Sequence, residues 1–432
     1  MDLAGCDRHD DRMPASVPEL VNPIPAEEVP AWSRAMAATF LGDPDDQQTV
    51  RRIELLTRSW DPARAWGVRD AGRWVATLRT EERTLTVPAV GDGTRDLHVD
   101  AVTNVTVSAT HRRRGLMSRM LGGSLGAARE GGSAASILIA AEWPIYGRFG
   151  YAPATLSAEY VLRRSRPGAA CPGDPSRVRQ VEREEFGEVA ATVFAAARRR
   201  RAGQIDRDAL WWNRVLGRAG YAPSDGLPHN WLVHDGDAGP DGLLGWKATG
   251  SFALVPPLGT VEVWDLSSAS DPAYQNLWAY LSGIDGIDQV RLSNRPVDEP
   301  VRWLLGDART LVMTQQADFL WLRLLDVPAA LAARRYAVPG EVVLEVIDED
   351  VSRFASGRYR LRSHGDEVEC EPTGLAADLE ITQQALASIY LGGFRLRELL
   401  LAGVARERTR GTLTLVDLMF STPLPPWNAT WF

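Results

Sequence analysis

The sequence predicts an α/β chain that passes into an α+β segment at its C-terminal end. Three observations carry that prediction. Short β-rich runs alternate with helix-spaced runs twice over, across residues 31–163 and again across 176–317. From about Asp318 the order changes to strands followed by helices. Of 432 residues, 45% are hydrophobic and 24% charged, which suits several globular domains and excludes disorder, collagen or coiled coil as the main class.

The elements follow in chain order. Residues 1–30 are rich in Pro, Asp and Glu and read as a flexible arm. In 31–163, Trp32, Met36, Phe40 and Leu41 have helical spacing, and β-rich runs occupy Arg73 to Leu78, Thr84 to Val90 and Leu97 to Ser108. A helix from about Arg114 to Arg129 and a buried strand, Ser136 to Ala140, complete that segment. Ser165 to Pro175, with three Pro and two Gly, forms a boundary. The 176–317 segment repeats the order: a helix over Val181 to Arg201, a Trp-rich helix around Asp208 to Leu216, strands near Asn230 to Val233 and Val261 to Leu266, and a helix over Ala273 to Ser282. The 318–432 segment opens with Leu320 to Leu325 and a helix, Val327 to Arg335, with a proline in its first turn. Strands at Val342 to Ile347 and Arg358 to Leu361 and helices after Ile381 follow, before an extended tail with Pro423, Pro425 and Pro426 that ends on Phe432.

Lys+Arg is 48 and Asp+Glu is 56, a net charge of −8 that disfavours nucleic-acid binding and mildly favours cationic or neutral partners. Cys6, Cys171 and Cys370 stand far apart and form no C-x-x-C pair, and six scattered histidines show no ligand spacing, so neither a disulfide framework nor a metal site is expected. With no signal-peptide core and no apolar run of about 18 residues, the expectation is a soluble, cytoplasmic protein.

The chemistry concentrates in Val105-Thr-Val-Ser-Ala-Thr-His-Arg-Arg-Arg-Gly-Leu-Met-Ser-Arg-Met-Leu121: an alternating strand, a basic loop, then helical spacing at Leu116, Met120 and Leu121. Free N–H groups at a helix start bind phosphate oxygens, Gly115 admits a ligand close to the backbone, and adjacent arginines neutralise a diphosphate. Alone, such a loop is more often a solvated surface. About thirty residues downstream, after the Ser136 strand, comes Ile145-Tyr-Gly-Arg-Phe-Gly-Tyr-Ala-Pro153. Gly122-Gly-Ser-Leu-Gly126 matches a hydrolase nucleophile pattern but falls inside the helix, not at a strand-to-helix elbow.

Strand, Arg-Gly loop, helix, strand and Tyr-Gly-Arg-Phe-Gly-Tyr in that order resemble the GNAT superfamily of N-acetyltransferases. Within it, Thr110-His-Arg-Arg-Arg-Gly-Leu116 with Ile145 to Thr155 is similar to the enhanced-intracellular-survival (Eis) family of bacterial N-acetyltransferases. Leu320 to Leu331, Ile389-Tyr-Leu-Gly-Gly393 and the final Phe432 extend the resemblance along the chain. It implies two tandem GNAT folds followed by a sterol-carrier-protein-like domain, with acetyl-CoA as co-substrate and no metal. It sets Val105, Thr106 and Val107 against the pantetheine arm, Arg113, Arg114, Gly115, Leu116, Met117 and Ser118 around the pyrophosphate, and Ala141 and Glu142 against the coenzyme. Met117 departs from the small residue common in the superfamily.

The resemblance makes Tyr146 the general acid. A phenol with an ordinary pKa near 10 stays protonated at neutral pH and can donate to a departing thiolate. It makes the α-carboxylate of Phe432 the base, a tail ending on Trp427, Trp431 and Phe432 being apolar enough to be buried rather than frayed. Asp100, five residues before Val105, is the competing base. The second segment reads as a degenerate acetyltransferase, because Ser267-Ser-Ala-Ser-Asp-Pro272 replaces the Arg-Gly loop. The implied acceptors are amines of aminoglycoside-like polycations or lysine side chains, and the implied assembly is a homo-oligomer, a hexamer. Asp43, Asp45, Asp46 and Glu142 are candidate attractors for a polycation, although such aspartates more often form a solvated surface. Two other activities suit parts of the sequence: a longer-chain N-acyltransferase, since N-myristoyltransferases share tandem halves and a terminal carboxylate, and a lipid carrier acting through the third domain.

Overall fold

The computed structural model describes residues 18–40, 43, 46, 49, 61–89, 93–164, 166–218, 230–251, 258–350 and 352–432. The chain divides into two compact units, one of Met1–Arg79 with Asn104–Ser124 and one of Thr80–Thr103 with Leu125–Phe432. Two long strands and one helix pass from one unit into the other by continuity of the chain.

In the first unit, β1 (Glu19–Val21) pairs antiparallel with β2 (Ala65–Asp70), which pairs antiparallel with the start of β3 (Arg73–Pro88). The helix Val29–Thr39, with a proline in its first turn, buries Val29 and Trp32 against Ile24, Ala65 and Trp74. The arm expected over residues 1–30 is therefore corrected from residue 18 onward: Leu20 holds register with Val68, and Ile24 is buried. Residues 1–17 and Cys6 lie outside the described residues.

In the second unit, β4 (Thr94–Val107) runs parallel to β5 (Ala135–Ile139), and β14 (Leu320–Leu324) lies antiparallel between β5 and β6 (Ala152–Pro153). A second sheet has the order β13 (Leu311–Asp318), β7 (Leu156–Arg163), β12 (Ile287–Arg295), β11 (Leu258–Ser268), β10 (Gly239–Ser251), β9 (Asn230–Gly236), β8 (Val178–Val181). A third consists of β17 (Glu367–Pro372), β16 (Gly357–His364), β15 (Gly340–Ile347), β18 (Leu379–Thr382) and β19 (Ala405–Glu407), covered by helices Gln383–Tyr390 and Thr412–Phe420.

The domain boundaries expected at residues 163 and 318 need correction. β7, expected in the first domain, completes the second sheet, where Leu162 pairs with Val290 and with Leu311. β14, expected to open the third domain, completes the first sheet, with Leu322 opposite Ile137. β14 is buried along its whole length and β7 alternates, with Glu159 and Arg163 exposed; either pattern declares which faces are covered without declaring which sheet the strand joins. The consequence is one continuous core: Val99, Ala101 and Ile137 of the first sheet, Leu322 of β14, and Leu344, Leu361, Leu386 and Phe420 of the third domain belong to a single buried cluster. The second sheet has its own, built on Leu232, Val261, Leu277, Trp278 and Val290. Among the described residues, no helix is long and apolar enough to cross a membrane, and Cys171 and Cys370 are free thiols.

Candidate active site

The basic loop belongs to the first unit. β4 bends at Asn104, whose φ of +54° is a conformation that asparagine tolerates better than most side chains. Asn104 is fixed on both sides, its Oδ1 accepting from Arg79 Nε at 3.1 Å and its carbonyl from Thr77 Oγ1 at 3.0 Å. Thr106 is buried and its hydroxyl meets that of Thr77 at 2.6 Å, so the backbone of Val105, Thr106 and Val107 follows a rigid kink. Beyond it, Arg113 (φ +63°) and Gly115 (φ +73°) reverse the chain. Arg112, Arg113, Arg114 and Gly115 are exposed, while Leu116 turns inward. Asp70 ties the loop down, accepting from His111 Nε2 at 3.1 Å and standing 3.7 Å from Arg114 Nη1.

The helix Leu116–Glu130 then begins, and Arg119 N–H closes its first turn onto the Gly115 carbonyl at 3.1 Å. The amides of Leu116, Met117 and Ser118 precede the helix's own hydrogen bonding and keep their dipole-backed donors. A Cβ built on Gly115 would meet nothing within 4 Å, so open space lies over the turn where a diphosphate would rest. Donor set, positive charge and open space all fit a coenzyme pyrophosphate.

In the second unit, β4 and β5 are paired from Val99↔Ala135 to Ala101↔Ile137 and part beyond that point. Thr103 is the second residue of β4 past the last pair, and its Oγ1 donates to a terminal oxygen of Phe432 at 3.3 Å. The chain terminus thus arrives where the two parallel strands separate. Asp100 sits one pair earlier, opposite Ser136, and is 1% exposed. Ala141 and Glu142 are exposed at the end of β5, and Glu142 is the N-cap residue of the short helix Trp143–Tyr146. Tyr146 is buried at the end of that helix, and burial, with the Glu142 carboxylate adding to it, pushes its phenol up to about 12. It holds its proton throughout the neutral range.

The turn after Tyr146 is clamped. Arg323, on β14 and fully buried, donates to the carbonyl of Phe149 and is balanced by Asp350 at 3.1 Å and Asp348 at 3.3 Å. Gln384 Nε2 donates to the Gly147 carbonyl at 2.8 Å. Gly150, at φ +77°, leaves the space Arg323 needs: a Cβ there would stand 3.0 Å from its Nη1. Tyr151 packs edge-on to Tyr146 with centroids 6.3 Å apart, and its hydroxyl meets Ser136 Oγ at 2.6 Å.

The second sheet repeats the parallel pair with different side chains at its parting. β11 and β12 pair from Gly259↔Ile287 to Val263↔Leu292. Beyond that point Arg295, 6% exposed, donates from Nη1 to the Leu266 carbonyl at 2.9 Å and from Nε to Glu299 at 2.7 Å, and Tyr274 donates to the same carboxylate. The helix Asp271–Gly283 is capped by its own Ser270, and Asp271 is paired with Arg200. Arg295 and Leu266 also belong to the wall of a cavity of about 750 Å³, together with Ser268, Tyr274, Trp303 and Trp427.

Sequence reasoning missed Asn104, Thr103, Arg323 and Gln384. Arg323 had a signal, a lone charge inside the apolar run Leu320-Trp-Leu-Arg-Leu-Leu325. Asn104 had none, since nothing in an alternating strand marks a kink. Of the acidic residues considered as attractors, Asp45 lies outside the described residues, and Asp46 N–H bonds back to the Asp43 carbonyl at 3.3 Å in a local turn.

Comparison with known proteins gives three matches in order along the chain: an acetyltransferase (GNAT) domain at residues 21–154, a second acetyltransferase (GNAT) domain at 203–324, and a sterol carrier protein domain at 327–429. An uncharacterized N-acetyltransferase of Streptomyces griseus is 36% identical over 421 residues, covering 94% of this chain and 98% of that protein. N-acetyltransferase Eis of Mycobacterium tuberculosis is 32% identical over 333 residues, 75% of this chain and 78% of its own. The crystal structure of Eis1 from Mycobacterium abscessus superposes with a TM-score of 0.81 at 28% identity, covering 96% of this chain and all of that one.

Proposed function

The chain belongs to the Eis-like family of GNAT N-acetyltransferases, and from that premise we propose that it transfers acetyl from acetyl-CoA to an amine by direct attack, with Tyr146 as acid and the Phe432 carboxylate as base. Val105, Thr106 and Val107 hold the pantetheine arm by backbone hydrogen bonds, Arg113, Arg114, Gly115, Leu116, Met117 and Ser118 hold the pyrophosphate, and Ala141 and Glu142 complete the coenzyme contacts. The terminal carboxylate, ionised at neutral pH as α-carboxyl groups ordinarily are, takes the proton that the amine sheds as its nitrogen bonds to the acetyl carbonyl carbon. As the C–S bond breaks, Tyr146 gives its proton to the departing sulfur. The acceptors are amines of polycations such as aminoglycosides, or lysine side chains, drawn by a net charge of −8 and by Glu142. The enzyme works as a cytoplasmic homohexamer.

The observation that carries this reading is the Phe432 oxygen at 3.3 Å from Thr103 Oγ1, at the parting of β4 from β5. A chain end is ordinarily the least ordered part of a protein, and this one is bonded to a strand residue more than 300 residues away in sequence. Appending residues after Phe432 turns the carboxylate into a neutral amide. The expected result is a fall in kcat of about 100-fold or more with acetyl-CoA affinity retained, read by thiol release and by titration. Wild-type turnover in the extended enzyme sinks the reading and moves the search to Asp100.

A further inference from the structure

The last six residues are held by one short stretch of the second GNAT domain. Trp427 N–H donates to the Ala202 carbonyl at 3.0 Å, and Ala429 N–H to the Gln204 side chain at 3.0 Å. Arg207 Nε donates to Thr430 Oγ1 at 3.0 Å, and Trp211 Nε1 to the Trp431 carbonyl at 3.1 Å. The two stretches thus run in step, 202, 204, 207 and 211 against 427, 429, 430 and 431. Asn428, fully buried, folds the tail on itself by accepting from Thr430 N–H at 3.1 Å and donating to its carbonyl at 2.8 Å.

That stretch is fixed at its other side. Thr86 N–H donates to the Gln204 carbonyl and Gly203 N–H to the Thr86 carbonyl, both at 2.8 Å, so residues 203–206 line the edge of β3. Arg207 cannot swing: its guanidinium lies 3.8 Å from the centroid of Phe194 and 4.1 Å from that of Trp211, and it is ion-paired with Asp265 on β11. Arg207 and Asp265 are both almost wholly buried, a costly arrangement for two charges that serves orientation better than stability.

We infer that Ala202–Trp211 is the device that positions the chain terminus at Thr103, with Arg207 and Trp211 as its positioning residues. The second GNAT domain, with Arg295 standing where its own parallel strands part, serves the reaction by aiming the neighbouring domain's base. This inference rests on the reading of the Phe432 carboxylate as that base, and its test separates the two.

Trp211→Phe keeps an aromatic ring and removes one donor; Thr430→Val removes one acceptor with little change of shape. Two readouts apply to each variant of the full chain: the rate at which carboxypeptidase releases Phe432, and kcat with both KM values. One neutral hydrogen bond corresponds to about fivefold and one from a charged guanidinium to about tenfold or more. Release is expected to be about fivefold faster in Trp211→Phe and about tenfold or more in Thr430→Val, with kcat lowered in step and the KM for acetyl-CoA unchanged. In a chain lacking Phe432, Trp211→Phe is expected to lower kcat no further, which a general packing defect would not reproduce. Release at the wild-type rate in both variants overturns the inference. Faster release with wild-type kcat leaves the anchoring standing and overturns the terminal carboxylate as base.

Discussion

The two parallel strand pairs, β4 with β5 and β11 with β12, share one topology and have opposite contents. Each is paired for a few residues and then parts, at Ala101/Ile137 in one and Val263/Leu292 in the other. In the first, the strand beyond the parting carries Thr103 and receives the chain terminus, and the loop that follows is exposed, arginine-rich and open above Gly115. In the second, Arg295 occupies the parting, takes the Leu266 carbonyl and is locked by Glu299 and Tyr274, and the helix that follows begins with a carboxylate. The fold supplies the same parting of parallel strands in both places, and a few side chains decide what each one holds: a chain terminus at Thr103 in the first, a buried ion pair in the second.

The largest expected effect breaks the symmetry at the proposed acid. Tyr146→Phe keeps the buried ring and loses the proton donor, so kcat is expected to fall by about 100-fold while the KM for acetyl-CoA changes little. The same hydroxyl gives a pH test. Because burial raises the Tyr146 phenol to about 12, the protonated acid persists well above pH 10, and kcat is expected to show no basic limb near 10, where an ordinary tyrosine titrates. A limb at that pH that vanishes in Tyr146→Phe would mean that the phenol titrates near its ordinary value, and one that persists in the variant belongs to another group.

The second cleft answers to a different measurement. Arg295→Ala leaves the Glu299 carboxylate, fully buried, without its cation, and the expected cost is about 3–5 kcal/mol in chemical unfolding with acetyl-CoA affinity unchanged. A variant as stable as wild type would mean that Glu299 does not depend on Arg295 for its burial. The smallest effect concerns the clamp on the acid: Gln384→Ala removes the bond to the Gly147 carbonyl and is expected to lower kcat about fivefold without moving the KM for acetyl-CoA. Unchanged kcat would confine Gln384 to packing.

Much of this contrast could be read from the sequence, because it lies in local chemistry. An Arg-Arg-Arg-Gly turn before a helix and a Ser-Ser-Ala-Ser-Asp turn before another differ in charge and in backbone freedom, and both differences survive in the structure as the exposed loop at Gly115 and the Ser270-capped helix. What the sequence hid is long-range. β7 and β14 each join the sheet of a neighbouring segment, since alternation and apolarity fix a strand's faces and leave its partner open. The plug of Arg295 was hidden too, because Arg295-Pro-Val-Asp-Glu299 reads as a polar turn until Leu266 and Tyr274 are brought beside it. Arg207 was equally mute within Ile205-Asp-Arg-Asp208, its role set by Thr430 from the far end of the chain.

Calorimetric titration of acetyl-CoA into the wild type and into Gly115→Val tests the contrast between the two clefts most directly. A β-branched side chain at φ +73° is strained by about 1–2 kcal/mol and projects into the open space over the turn. The account predicts one coenzyme per chain, bound about tenfold more weakly by the variant. Two coenzymes per chain, or a single one bound with undiminished affinity by Gly115→Val, would contradict it.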